Sequence, residues 1–196
     1  MFNEQIYRRF NHTVAACFVI FFLFPQKILG LERIYLAIIL WLIILVIEYL
    51  RLNNKVKLLG MRDYEKNRVA GFVWFASGTF IIFGFTEMGV FPQSIAIATI
   101  IMAAYTDPVI GEANRNFGGN WGLGLGFLCG FLIYLSIIGS IFYSIVGALI
   151  AVIVEHPKLK WFDDDLAMQI FPATILSILW LAGLGPEITE TIVEGL

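Results

Sequence analysis

The stretch "WGLGLGFLCGFLIYLSIIGSIFYSIVGALIAVIV", Trp121 to Val154, runs for 34 residues without a single charge. As one helix it would reach about 51 Å at about 1.5 Å per residue, far beyond a hydrocarbon core of about 30 Å. Two shorter helices meeting near Ser136 to Ser140 fit a bilayer, and that choice decides how often the chain crosses it. Outward from this stretch, further apolar runs recur at about 13 to 30, 33 to 51, 69 to 86, 91 to 106 and 166 to 184. The expected fold is therefore all-α, a polytopic integral membrane helical bundle of about seven transmembrane helices. Residues 1–196 form a single transmembrane domain in this reading.

Composition points the same way. Hydrophobic residues make up 59% of the chain and charged residues 14%, with a mean hydropathy of +0.83; soluble chains carry roughly 25% charged residues. A net charge of −2, with the basic residues gathered in one loop, argues against a nucleic-acid partner. Cys17 and Cys129 both lie in apolar runs, where a thiol behaves as a small hydrophobe, so neither a disulfide nor a zinc site is expected. Arg8 and Arg9 precede the first apolar run as they would in a signal peptide. No small-residue cleavage site follows, and the run reads as a retained first span.

Lys and Arg in short loops concentrate on the cytoplasmic side. With a hairpin inside 121–154 and the N-terminus inside, eleven of the thirteen basic residues share one face: Arg8, Arg9, Arg51, Lys55, Lys57, Arg62, Lys66, Arg68, Arg115, Lys158 and Lys160. The other face keeps Lys27 and Arg33. This topology collects Asp107, Glu112, Glu155 and Asp163-Asp164-Asp165 on the basic, cytoplasmic side, in loops at about 51–68, 107–120 and 155–165. Carboxylates beside a basic cluster suit a magnesium nucleotide, since Mg²⁺ takes one or two carboxylates while phosphate oxygens need cationic or backbone donors.

Each element also has a plain structural reading. Asp107-Pro108 would serve as a helix stop, because the residue before proline is pushed out of helical geometry. Asp164 or Asp165 would cap the seventh helix. Glu48 and Arg51, and likewise Arg62, Glu65 and Arg68, have the three-residue spacing of helical ion pairs. His12 alone would be an interfacial side chain. In "FGGNWGLGLGFLCG", Gly118 and Gly119 suit a phosphate cradle, whereas Gly122, Gly126 and Gly130, four apart, make a small-residue seam that lets membrane helices approach. No Lys-Ser or Lys-Thr follows, so this is not a P-loop.

Taken in order, "RRFNHT", "EYLR", "RDYEKNRVAG", "YTDPVIGEANRNFGG", the Val154-Glu155 pair and "DDDLAMQIFPA" resemble the membrane family of dolichol, phytol and related polyprenol kinases. The resemblance spans nearly the whole chain, and its most specific element is Asp-Pro in a glycine context. It implies CTP-dependent phosphorylation of a long-chain isoprenoid alcohol at the cytoplasmic membrane face, with Mg²⁺ or another divalent cation. Carried over position by position, Asp107, Glu155 and Asp164 would be catalytic, and Asp107, Glu155, Asp163, Asp164 and Asp165 would hold the metal. Arg62, Arg68, Arg115, Gly111 and Gly118 would meet the nucleotide; His12, Glu48, Arg51 and Glu65 are further candidates. Many family members follow the Asp-Pro glycines with Lys-Ser, where this chain reads "NWGLGLGFLCGF". Arg115 or a residue of the 51–68 loop would then replace the lysine. The alternatives are a non-catalytic membrane relative, a small transporter, or another lipid-synthesis enzyme using CTP or CDP-linked substrates.

Overall fold

The computed structural model of the chain describes residues 11–56, 66–118, 121–155 and 163–192. Among them are seven helices: α1 (Asn11–Leu23), α2 (Arg33–Asn53), α3 (Gly71–Glu87), α4 (Gln93–Phe117), α5 (Trp121–Ile138), α6 (Ile141–Glu155) and α7 (Asp164–Leu181). The second half of α1, Cys17–Leu23, is wound as a 3₁₀-helix. The only strands among the described residues are β1 (Lys27–Ile28) and β2 (Leu31–Glu32), an antiparallel pair with Lys27 opposite Glu32. The fold is all-α. Four helices, α2, α4, α5 and α7, are long and apolar enough to cross a bilayer, which marks a membrane protein. The remaining three are shorter: α3 has 17 residues, α6 has 15, and α1 is shorter still.

The long apolar run does divide. Helix α5 ends at Ile138, Gly139 turns the chain with φ +73°, and α6 starts at Ile141. A residue with a side chain strains at that dihedral, so glycine makes the break. Ser140 then begins the next helix, its hydroxyl oxygen accepting from the Tyr143 N–H at 3.5 Å.

Two expected boundaries are overturned. The first helix stops at Leu23 rather than near residue 30, because Phe24 precedes Pro25 and takes an extended conformation, φ −74° and ψ 145°. Asp107-Pro108 does not end the fourth helix. Helix α4 runs through Pro108 to Phe117 and ends at Gly118, φ +68°. Proline in a helix interior loses one backbone hydrogen bond and costs about 3 kcal/mol. The helices packed around α4 outweigh that loss.

Helix α4 is the axis of the bundle: 61% of its apolar span is buried, against 17% for α2. Helices α5, α7, α3 and α1 pack on it, α6 bridges α5 and α7, and α2 lies outside against α3. The glycine seam faces α4. Gly122, Gly126 and Gly130 are all buried, and a Cβ at Gly122 would overlap the Asn114 side chain, one at Gly126 the Ile110 side chain. Helix α7 is stapled to α3 by the fully buried Gln169, whose Nε2 donates to the Phe75 carbonyl at 2.9 Å while its Oε1 accepts from Thr79 Oγ1 at 2.9 Å.

Polar clamps hold α2 at both ends. At its start, Arg33 donates from Nε and Nη2 to Glu87 at the end of α3, at 3.0 and 2.7 Å, and from Nη1 to the Phe24 carbonyl at 2.7 Å. Near its other end, Arg51 and Glu48 form a buried pair with both nitrogen–oxygen distances at 2.7 Å.

Candidate functional site

Because α4 continues past Pro108, Asp107 projects sideways from a helix instead of capping one. It meets His12 at the start of α1, with Nε2 3.7 Å from Oδ2. Glu155 closes α6 and is only 7% exposed. The first turn of α7 supplies Asp164 and Asp165, favoured there by the positive end of the helix dipole. The result is a convergence of four helices. One potential ligand atom each from Asp107, Glu155 and Asp164 lies within 4.8 Å of the others, and the same holds for His12, Asp107 and Asp165, and for Asp163, Asp164 and Asp165.

The cap of α7 is Asp163, not Asp164 or Asp165. Its Oδ1 accepts from the Asp165 N–H at 3.2 Å, which leaves the next two carboxylates to face the cluster. Burial pushes the Asp163 carboxyl up to about 6, and the neighbouring Asp164 carboxylate adds to the rise. The Asp165 N–H and Arg68 pull the other way. Arg68, just ahead of α3, reaches Asp163 Oδ2 from Nη2 at 3.6 Å.

The other sequence candidates are placed less uniformly. Glu48 and Arg51 are joined to one another, and they bond the segment that carries Arg68, at the Arg68 carbonyl and the Ala70 N–H. Asp107, Gly111 and Arg115 recur at four-residue spacing and form one stripe of α4. Gly111 leaves open space between the other two, and Arg115 is exposed in the last turn. Gly118 has a backbone duty as the left-handed end of α4. The start of α5 is not an open phosphate cradle at Gly122, whose N–H donates to Asn114 Oδ1 at 3.1 Å. Arg62 and Glu65 lie outside the described residues.

Sequence reasoning passed over Gln169 and Asn114. Gln169 also donates from Nε2 to the Asp165 carbonyl at 3.2 Å, tying the acidic turn to the α3 staple. The signal was available: an amide one turn after the aspartates, in an otherwise apolar helix.

The donor set fits a hard divalent cation. Mg²⁺ and Mn²⁺ prefer oxygen, and Asp107, Glu155 and Asp164 offer three carboxylates from three helices, with His12 alongside. No family model, curated protein or solved structure matches this chain.

Proposed function

We propose that this protein is a membrane lipid kinase that moves the γ-phosphoryl group of CTP to the hydroxyl of a long-chain isoprenoid alcohol. The observation that carries the reading is the gathering of Asp107, Glu155, Asp164, Asp165 and His12 from four helices at one end of the bundle, beside Arg68. Phosphoryl transfer demands chiefly positioning and charge neutralisation, which carboxylates for a metal and arginines for phosphates supply. A transporter would more often hold its ionisable groups at the bilayer midplane. The choice of CTP and of an isoprenoid alcohol rests on the motif resemblance.

In this reading the lipid oxygen bonds to the γ-phosphorus while the bond from that phosphorus to the bridging oxygen breaks and CDP leaves. A carboxylate of the cluster takes the hydroxyl proton. Mg²⁺, held by Asp107, Glu155 and the 163–165 aspartates, would screen the phosphate charge. Arg68 and Arg115 bind phosphate oxygens in place of the lysine found in relatives, and Gly111 leaves the stripe between Asp107 and Arg115 clear. The site faces the cytoplasm, where the nucleotide is; the basic residues on the same end support this.

Purified protein with Mg²⁺, labelled CTP, ATP or GTP, and isoprenoid alcohols of several lengths tests the proposal. Label is expected in the lipid from CTP, and Asp107→Asn, which removes charge at constant size, lowers turnover roughly 100-fold or more with folding intact. Transfer from no nucleotide by correctly folded protein overturns it.

A further inference from the structure

Burying an ion pair rarely adds net stability, since desolvation of both charges offsets their attraction. The Glu48–Arg51 pair, at 3% and 5% exposure, therefore raises the question of what else it holds. Its hydrogen bonds answer this. Glu48 Oε1 and Oε2 accept from Arg51 Nη2 and Nε, and Oε1 accepts a third bond from the Ala70 N–H at 2.9 Å. Arg51 Nη1 donates to the Val56 carbonyl at 3.1 Å, and Nη2 donates again to the Arg68 carbonyl at 2.7 Å.

The pair thus grips the chain at three points: Val56, where it leaves α2, and Arg68 and Ala70, where it enters α3. Arg68 is fixed at its own carbonyl and again two residues later, while its side chain, 54% exposed, extends to Asp163. A lysine cannot replace Arg51, because one ammonium lacks the planar fork that meets a carboxylate edge-on while reaching two carbonyls. Glutamine cannot replace Glu48, because its amide turns a donor toward the guanidinium.

We propose that Glu48 and Arg51 are positioning residues that set the Arg68 backbone so that its guanidinium stands over Asp163, at the edge of the carboxylate cluster. The inference rests on the kinase reading for what Arg68 does, but not for where Arg68 is held. Helix α2 lies at the edge of the bundle, with 17% of its apolar span buried against 61% for α4.

Two measurements test it. In a Cys17→Ser, Cys129→Ala background, Arg68→Cys with Asp163→Cys should join through a short thiol-to-thiol cross-linker, and adding Arg51→Lys or Glu48→Gln should lower the yield several-fold. Kinetically, Arg51→Lys should raise the nucleotide KM about tenfold with little change in kcat, yet change it less than about twofold when Arg68 is already alanine. A yield unmoved by both substitutions, or effects of Arg51→Lys and Arg68→Ala that simply add, overturns the proposal. Cross-linking that depends on the pair in a protein that transfers no phosphoryl group keeps the clamp and removes the kinase.

Discussion

Asp163 uses both carboxylate oxygens: one caps α7 and the other faces Arg68. Its pKa is pushed up to about 6 by burial and by Asp164. A carboxyl with a raised folded pKa contributes stability that is full below the unfolded value and is lost as pH rises through the folded one. The Asp163 contribution is thus present below about pH 4 and gone above about 6. A divalent cation held by the 163–165 aspartates, as proposed, would compete with that same proton, so its binding would have the opposite slope. Mn²⁺ affinity, read by titration calorimetry, should strengthen about tenfold from about pH 5 to 7, one proton being displaced across a midpoint near the centre. Asp163→Asn should flatten most of that slope. At this scale charge next to apolar runs singled out Asp107, Glu155 and the three aspartates, whose carboxylates the fold brings near one another. The sequence reading missed which aspartate is the cap, because three equivalent residues in a row offer the helix three registers, and packing chooses among them.

Between elements, the seam of α4 and α5 is the contact most directly written in the sequence. Spacing of four puts Gly122, Gly126 and Gly130 along one side of α5, and α4 answers with Asn114, Ile110 and Met102. A methyl group at Gly126 would overlap Cγ1 and Cδ1 of the Ile110 side chain. Gly126→Ala should therefore cost about 1–3 kcal/mol as an overpacked contact. Ile110→Ala on top of it should recover part of the loss, since it opens the space the new methyl occupies. Thermal unfolding of the two single variants and the double variant reads this coupling; purely additive losses would mean that the seam is slack. Pro108 taught the reverse lesson. Its local preference is to end a helix, and only the packing of neighbouring helices around α4 overrides that preference, so no local reading finds it. The same continuation brings the Asp107 side chain beside His12, Glu155 and Asp164.

At the scale of the whole molecule, the all-α class and a break near Ser136 to Ser140 were legible, because the length of an uncharged run against bilayer thickness is a physical constraint the sequence displays. The short β-hairpin after α1, the outlying place of α2 and its Arg33–Glu87 clamp were not, since those two partners stand 54 positions apart, whereas the Glu48–Arg51 pair could be read from its three-residue spacing. Four helices have the length and composition to cross a bilayer; α1, α3 and α6 complete seven crossings only where a short helix, its flanking turns and local thinning of the bilayer together span the core. The division of basic residues argues that they do, with the N-terminus inside. Single cysteines at exposed positions, in a background lacking Cys17 and Cys129, decide each crossing separately. Lys55 and Asn116 should label from the cytoplasmic side, and Leu29, Met88, Ile141 and Leu184 from the other. Leu29 tests α1, Met88 tests α3, and Ile141 tests the pair α5 and α6. Should Ile141 label together with Asn116, α5 would turn back within the membrane and the hairpin topology would fall. Should Lys55 and Asn116 report opposite sides, the Arg68 segment and Asp107 would face different compartments, and a single site holding nucleotide between them would be ruled out.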